Sequence, residues 1–135
     1  MTPDQTRIVQ DTWKQVLPIA DTAADLLYDR LFAIDPTSRP LFKSDTLPEQ
    51  KRKLMLMLNS VVAGLSRPAD IVPAAEALAR RHVNYGVTEE QYDSVGAALL
   101  WTLEKGLGEA WTKDASEAWT AAYSLLSGVM RRAAA

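Results

Sequence analysis

His82 is the only histidine in this 135-residue chain, and it sits in the stretch IVPAAEALARRHVNYGV at residues 71–87. Ile71, Ala75 and Leu78 recur at the spacing of one helix face, and the next step along that face is His82. An imidazole on the inward face of a helix has two chemistries open to it. It can be a core residue whose ring nitrogen is satisfied by a backbone carbonyl, or a neutral metal ligand. A single protein ligand does not hold a bare zinc ion, which takes three or four. It does hold a metal whose remaining ligands come from a macrocycle, as iron is held in haem proteins. Two other polar side chains stand on apolar stripes. Tyr28 follows Ala24 and Leu27, and Gln50 precedes Leu54 by one turn. Each has a plain structural reading, Tyr28 as a core tyrosine with its hydroxyl at the surface and Gln50 as an end-of-helix amide in solvent.

The elements that would position these groups are all helical. Thr2-Pro3-Asp4-Gln5 is a capping box with proline at the first helical position. It opens a helix with Val9, Trp13, Val16 and Leu17 on one face, ended or interrupted at Pro18. A second helix, Ala20 to about Ile34, lines up Ala24, Leu27, Tyr28 and Leu31, with Phe32 beside them, and stops at Asp35-Pro36. Thr37 to Pro40 is a tight turn or short helix that brings Leu41 and Phe42 inward, and Lys43 to Leu47 is a polar loop. Thr46-Leu47-Pro48-Glu49 repeats the capping-box pattern and starts a third helix that runs to about Leu65, with Lys51 and Lys53 on its solvated face. After Ser66-Arg67-Pro68 comes the histidine helix, with Pro73 expected in its first turn and Tyr85-Gly86 as its stop. Thr88-Glu89-Glu90-Gln91 opens a helix with Tyr92, Val95, Leu99 and Leu103 inward, closing near Gly106 or Gly108. Thr112 caps a last helix carrying Ala115, Trp119, Ala122, Tyr123, Leu126 and Met130, with Arg131 and Arg132 complementing its carboxyl-terminal dipole. No stretch alternates with period two. The expected fold class is all-α, with six or seven helices in a single domain, residues 1–135.

Composition removes whole classes of function. Apolar residues make up 47 %, enough for a packed core and too many for a disordered chain. The formal net charge is −2, and although Lys51, Arg52 and Lys53 cluster, there is no basic excess to bind nucleic acid. Without cysteine there is no disulfide framework, no thiol nucleophile and no thiolate-held metal. No apolar run is long enough to span a membrane and no signal-peptide core is present, so a soluble, cytoplasmic protein is expected.

Taken in order, LLYDRLFAIDPTSRPLF (residues 26–42), QKRKLMLML (50–58), RRHVNYGV (80–87), QYDSVGAALL (91–100) and EAWTAAY (117–123) resemble the globins. More narrowly, they are similar to bacterial single-domain haemoglobins of the flavohaemoglobin-related type. The resemblance implies a globin fold around a haem crevice, with haem b (iron protoporphyrin IX) as cofactor. It makes His82 the proximal iron ligand. Phe42 would stack on the macrocycle, Leu54 would form the distal wall, and Val87, Tyr92, Val95 and Leu99 would line the proximal and inner sides. Tyr28 and Gln50 would face the distal side, where each can donate a hydrogen bond to a bound gas. Trp119 and Tyr123 would be packing positions.

His82 can give its second ring N–H to the Leu78 carbonyl, one turn back. With no second histidine, a bis-histidine state is excluded by count. Hydrogen bonds from Tyr28 and Gln50, each worth about 1–2 kcal/mol net, would together slow oxygen release by roughly one to three decades. The expected function is therefore high-affinity, reversible oxygen binding. Nitric oxide and carbon monoxide are further small ligands, and nitric oxide dioxygenation would need an external reductase. Flavohaemoglobins carry a glutamate near the end of the last helix that, with a tyrosine, contacts the proximal histidine; Tyr92 matches the tyrosine, but the glutamate position falls near Ala134 here, which counts against peroxidase-like cleavage and efficient nitric oxide turnover. The alternatives are a gas-sensing globin acting through a partner or a missing output domain, and a cofactor-free helical interaction module.

Overall fold

A computed structural model describes residues 1–42, 45–84 and 87–134, without the side chains of residues 68, 84 and 134. Its α-helices are α1 (Pro3–Val16), α2 (Ala20–Ile34), α3 (Leu47–Gly64), α4 (Pro68–Asn84), α5 (Glu89–Leu107) and α6 (Lys113–Ala134), joined in places by short 3-10 turns at Leu17–Ile19, Pro36–Leu41 and Gly108–Ala110. Among the described residues there is no strand. The helix starts are chemically explicit. Thr2 and Gln5 exchange side-chain and backbone bonds at 3.1 and 3.0 Å, Gln91 accepts from the Thr88 N–H at 2.9 Å, and Thr112 accepts from the Ala115 N–H at 3.1 Å. Each satisfies an amide that the first turn leaves without a partner. Gly108, with φ of 55°, ends α5 in a conformation that a side chain would resist. The Tyr85-Gly86 stop lies outside the described residues.

The core forms where α2 crosses α5 and where α1 and α4 pack on α6. Val9, Trp13, Val16, Leu27, Leu31, Leu103, Ala118 and Trp119 are buried there. Trp13 and Trp119 lie 6.0 Å apart, and their indole N–H groups donate to Asn59 and Thr12 at 3.0 and 2.8 Å, so both polar edges are satisfied inside. By contrast, α3 and α4 touch only lightly.

Four expectations need correction. Leu17 leaves the α1 stripe and is 42 % exposed, because the turn at Leu17–Ile19 tightens just there. Thr46 makes no side-chain cap for α3, because its backbone (φ −101°, ψ −4°) is already helical and the extended geometry of a capping residue is absent. Pro73 lies inside α4, not in its first turn, since the helix starts at Pro68, where the missing N–H costs nothing; at Pro73 the Ala69 carbonyl loses its helical partner. Lys51 does not simply face solvent: it reaches across to Asp25 on α2 at 2.9 Å.

Gly96 on α5 lets α6 come close, since a Cβ there would stand 2.6 Å from Cε2 of Tyr123, whose ring is tied by its hydroxyl to the Tyr92 carbonyl. That ring cannot swing away freely. Gly96→Ala is expected to destabilise the protein by about 1–3 kcal/mol despite its better helix propensity, which urea unfolding would register as a lower midpoint.

Candidate functional site

His82 lies half-buried in the last turn and a half of α4. Its Nδ1 is 2.8 Å from the Leu78 carbonyl. A carbonyl only accepts, so in the neutral ring Nδ1 carries the hydrogen and Nε2 keeps its lone pair. Burial pushes the imidazole pKa below its ordinary value; the Leu78 bond opposes this, and the neighbouring Arg81 charge adds to it. The ring is therefore held neutral, oriented, and with one free nitrogen, as a metal ligand requires. The Val87 N–H donates to the His82 carbonyl at 3.1 Å, which brings the start of the next segment beneath the histidine.

Tyr92, near the start of α5, packs its ring 6.2 Å from the imidazole and within 24° of parallel. Its hydroxyl is buried and has no hydrogen-bond partner among the described residues. Burial raises its pKa and the charge of Arg131 pulls the other way. Tyr123 of α6 donates to the Tyr92 carbonyl. The Arg131 guanidinium lies 5.5 Å from the centre of the Tyr92 ring and pairs with Asp93 at 2.6 Å.

A second cluster gathers around Tyr28 on α2. The Tyr28 ring meets Phe42 edge-on at 5.3 Å and Phe32 at 5.9 Å. Tyr28 is buried, yet its hydroxyl makes no hydrogen bond among the described residues, and desolvation pushes its pKa up to about 12. It is thus a protonated, uncommitted donor at neutral pH. Gln50 sits half-buried in the first turn of α3, and no hydrogen bond joins it to Tyr28 among the described residues.

Between these clusters the apolar side chains divide into two kinds. Leu58, Val62, Ala75, Ala79, Leu99 and Leu103 are buried in the core. Phe42, Leu54, Met57, Leu78, Val87 and Val95 pack against that core but remain only partly covered. A half-covered apolar surface spanning α3, α4 and α5 is what a flat, largely apolar plate needs on its two faces. A cleft of about 300 Å³ opens between α3 and α4, lined by Met57, Val61, Ala75, Leu78 and Arg81 among others. A larger cleft of about 520 Å³, between α2 and α3, is lined by none of the candidate site residues. Its lining includes the Lys51–Asp25 ion pair, and chemistry outranks size in locating the site. The residues present therefore fit a haem group, which Nε2 of His82 would hold through its iron. Among the described residues no cluster of histidine, cysteine or carboxylate side chains could hold a metal ion by itself.

The structure thus joins Tyr28 to Phe42, and His82 to Tyr92 and Val87. It leaves Leu54 and Val95 on the half-covered surface and buries Leu99 beneath it. Among the described residues Gln50 makes no hydrogen bond to another singled-out side chain. Sequence reasoning missed Arg131, which it assigned to the helix dipole, and it assigned Tyr123 to packing alone. A basic residue in the last turn of a helix carries no sign of which neighbouring helix it reaches.

Residues 25–130 match the globin family, and the chain belongs to it. Over 96 % of its length it is 27 % identical to the flavohemoprotein of Bordetella parapertussis (strain 12822), covering 33 % of that protein. Over 91 % of its length it is 29 % identical to the flavohemoprotein of Rhodopirellula baltica, covering 31 %. The chain therefore spans about a third of the length of these relatives. It is also 27 % identical to neuroglobin of Danio rerio, over 93 % of this chain and 87 % of that one. The structure of a bacterial globin from Campylobacter jejuni superposes with a TM-score of 0.82 at 22 % identity, covering 98 % of this chain and 94 % of that one. The six α-helices are thus those of a globin fold, and family membership indicates a haem-binding protein whose ligands are small gases.

The depressed pKa of His82 has a consequence in the haem-free protein. The unfolded chain takes up a proton on this imidazole as pH falls below the ordinary value of 6.5, while the folded chain resists until its own lower value is reached. Its contribution to stability is full above 6.5 and is lost as pH falls through that interval. Urea midpoints measured between neutral pH and about pH 5 should fall more steeply for the wild type than for His82→Leu. Parallel curves would mean that His82 is not held neutral.

Proposed function

We propose that the chain is a haem b protein that binds oxygen reversibly and with high affinity, with His82 as the iron ligand. The observation that carries this reading is the fixed, neutral imidazole whose Nδ1 is engaged by the Leu78 carbonyl at 2.8 Å. When bound, haem would supply an iron able to take a diatomic gas. The chain's residues do the rest. His82 holds the iron through Nε2 in one orientation. Phe42, Leu54, Val87 and Val95 would cover the plate, backed by the buried Leu99, and keep water from it, which protects the reduced state. Tyr28, uncommitted and protonated, donates to the partial negative charge on a bound gas, and the Gln50 amide is a second donor.

Carbon monoxide develops less charge and gains less from these donors than oxygen does. With nitric oxide as co-substrate, the balanced outcome is one nitrate from one nitric oxide, one oxygen and one electron. That electron comes from a reductase outside these residues, and a cytoplasmic setting suits the partner. A gas-sensing role acting through a partner shares the same site and differs only in output.

Replacing His82 by Ala should abolish stoichiometric retention of hemin and its Soret band, read by absorption after gel filtration. Unchanged retention would mean that another residue is the ligand. Replacing Tyr28 by Phe removes one charge-assisted hydrogen bond and should speed oxygen dissociation by about five- to thirtyfold, with a smaller effect on carbon monoxide. Stopped-flow displacement measures both rates, and an unaltered oxygen rate would make the tyrosine purely structural.

A further inference from the structure

Behind Tyr92 lies an ion pair that gas binding alone does not use. Arg131 donates to the Asp93 carboxylate at 2.6 Å and to the Glu89 carbonyl at 3.3 Å, with its guanidinium 5.5 Å from the centre of the Tyr92 ring. That ring in turn lies 6.2 Å from the His82 imidazole. Imidazole, phenol and guanidinium therefore stand in series from α4 through α5 to α6.

The two ends of the ion pair are not equivalent. The Arg131 side chain is 32 % exposed and that of Asp93 is 76 %. Nε of Arg131 is buried without a hydrogen-bond partner among the described residues, as is the Tyr92 hydroxyl. The cation is the inner member and the carboxylate the outer, water-screened one, so the field directed at the site is net positive.

On the haem-binding reading, we infer that Arg131 is a positioning residue that acts through Tyr92 to place positive potential behind His82, raising the reduction potential of the bound iron and favouring its reduced, gas-binding state. The physical basis is short. Oxidised iron carries one more positive charge than reduced iron, and the couple takes one electron, so a fixed cation opposes the oxidised side. The guanidinium also draws ring density of Tyr92 toward itself, which leaves the imidazole a weaker electron donor to the metal, and surrounding charge of this kind is a recognised control on haem potential. A carboxylate in the same place would act in the opposite direction.

At an effective dielectric near 20 and with partial cancellation by Asp93, the effect is on the order of threefold in the oxidised-to-reduced ratio, or about 28 mV for a one-electron couple. The test is a spectroelectrochemical titration of the haem-loaded full chain with dithionite, ferricyanide and mediator dyes. Arg131→Gln should shift the ratio toward the oxidised form by at least that threefold, lowering the midpoint, Arg131→Lys should restore most of it, and Asp93→Asn should shift it the other way by a smaller factor, since its carboxylate is the screened member. Opposite shifts from the two charge variants mark an electrostatic role. Shifts of the same sign, or none, would overturn the inference. The iron–histidine stretch of the reduced protein in resonance Raman should rise in Arg131→Gln, and a fall or no change would count against it. Should Arg131→Gln not fold, Asp93→Asn alters only an exposed carboxylate and decides alone. A wild-type protein without a Soret band overturns the haem reading and this one with it, whereas a normal Soret band with unmoved potentials overturns this one alone.

Discussion

The hydrogen bond between His82 and the Leu78 carbonyl, four residues back on the same helix, is the constraint around which the proposed site is arranged. Its net energy, about 1 kcal/mol, is trivial beside the packing of the domain. Its importance is directional. It selects one tautomer, fixes the ring plane and leaves a single lone pair aimed away from the helix. That geometry holds only while α4 itself is held, and the buried Ile71, Ala75 and Ala79 dock it against the rest of the fold. The next residues round the helix, Leu78 and His82, are left half-covered. The helix thus spends one stripe on the core and the adjacent one on the site.

The same division recurs on α3, where Leu58 and Val62 are buried while Leu54 and Met57 stay only partly covered. A protein of this composition could in principle close that gap by bringing α3 down on α4. The light contact between the two helices shows that it does not. Apolar surface left partly wet costs roughly 25 cal/mol for each Å² not buried, so the protein alone is less stable than its side chains allow. A group that covers that surface completes the core and stabilises the fold by mass action. In a globin that group is haem, and on the proposed reading the partly covered stripes are where it would lie.

Much of this was legible because it depends on local spacing. The caps at Thr2, Thr88 and Thr112 lie within four residues of their partners. The bond from His82 to Leu78 follows from helix periodicity, and Tyr28 stands out against its own stripe. What was not legible depends on how one helix meets another. Gly96 permits Tyr123 to reach the Tyr92 carbonyl only because α5 and α6 cross at that point. Arg131 finds Asp93 and the Tyr92 ring for the same reason, and Lys51 finds Asp25 across the α2–α3 boundary. Pro73 misled by offering a plausible first-turn proline five residues after the true one at Pro68. Two prolines that both suit a first turn cannot be ranked by local preference alone.

The two tyrosines nearest the proposed site illustrate how one side-chain type takes opposite roles. Both have hydroxyls without a partner among the described residues, and burial raises the pKa of each. Beside Tyr28 stand the aromatic rings of Phe32 and Phe42. No hydrogen bond engages its hydroxyl among the described residues, so on the proposed reading it is free to act as a neutral donor. Tyr92 instead lies between an imidazole and a guanidinium, where its ring, not its hydroxyl, is the part in use. A neutral donor discriminates among gases by the charge they develop, while a fixed cation acts on the metal's charge whatever gas is present. Because the first depends on contact with the ligand and the second does not, ligand selectivity and reduction potential can be set by separate residues on helices far apart in the sequence.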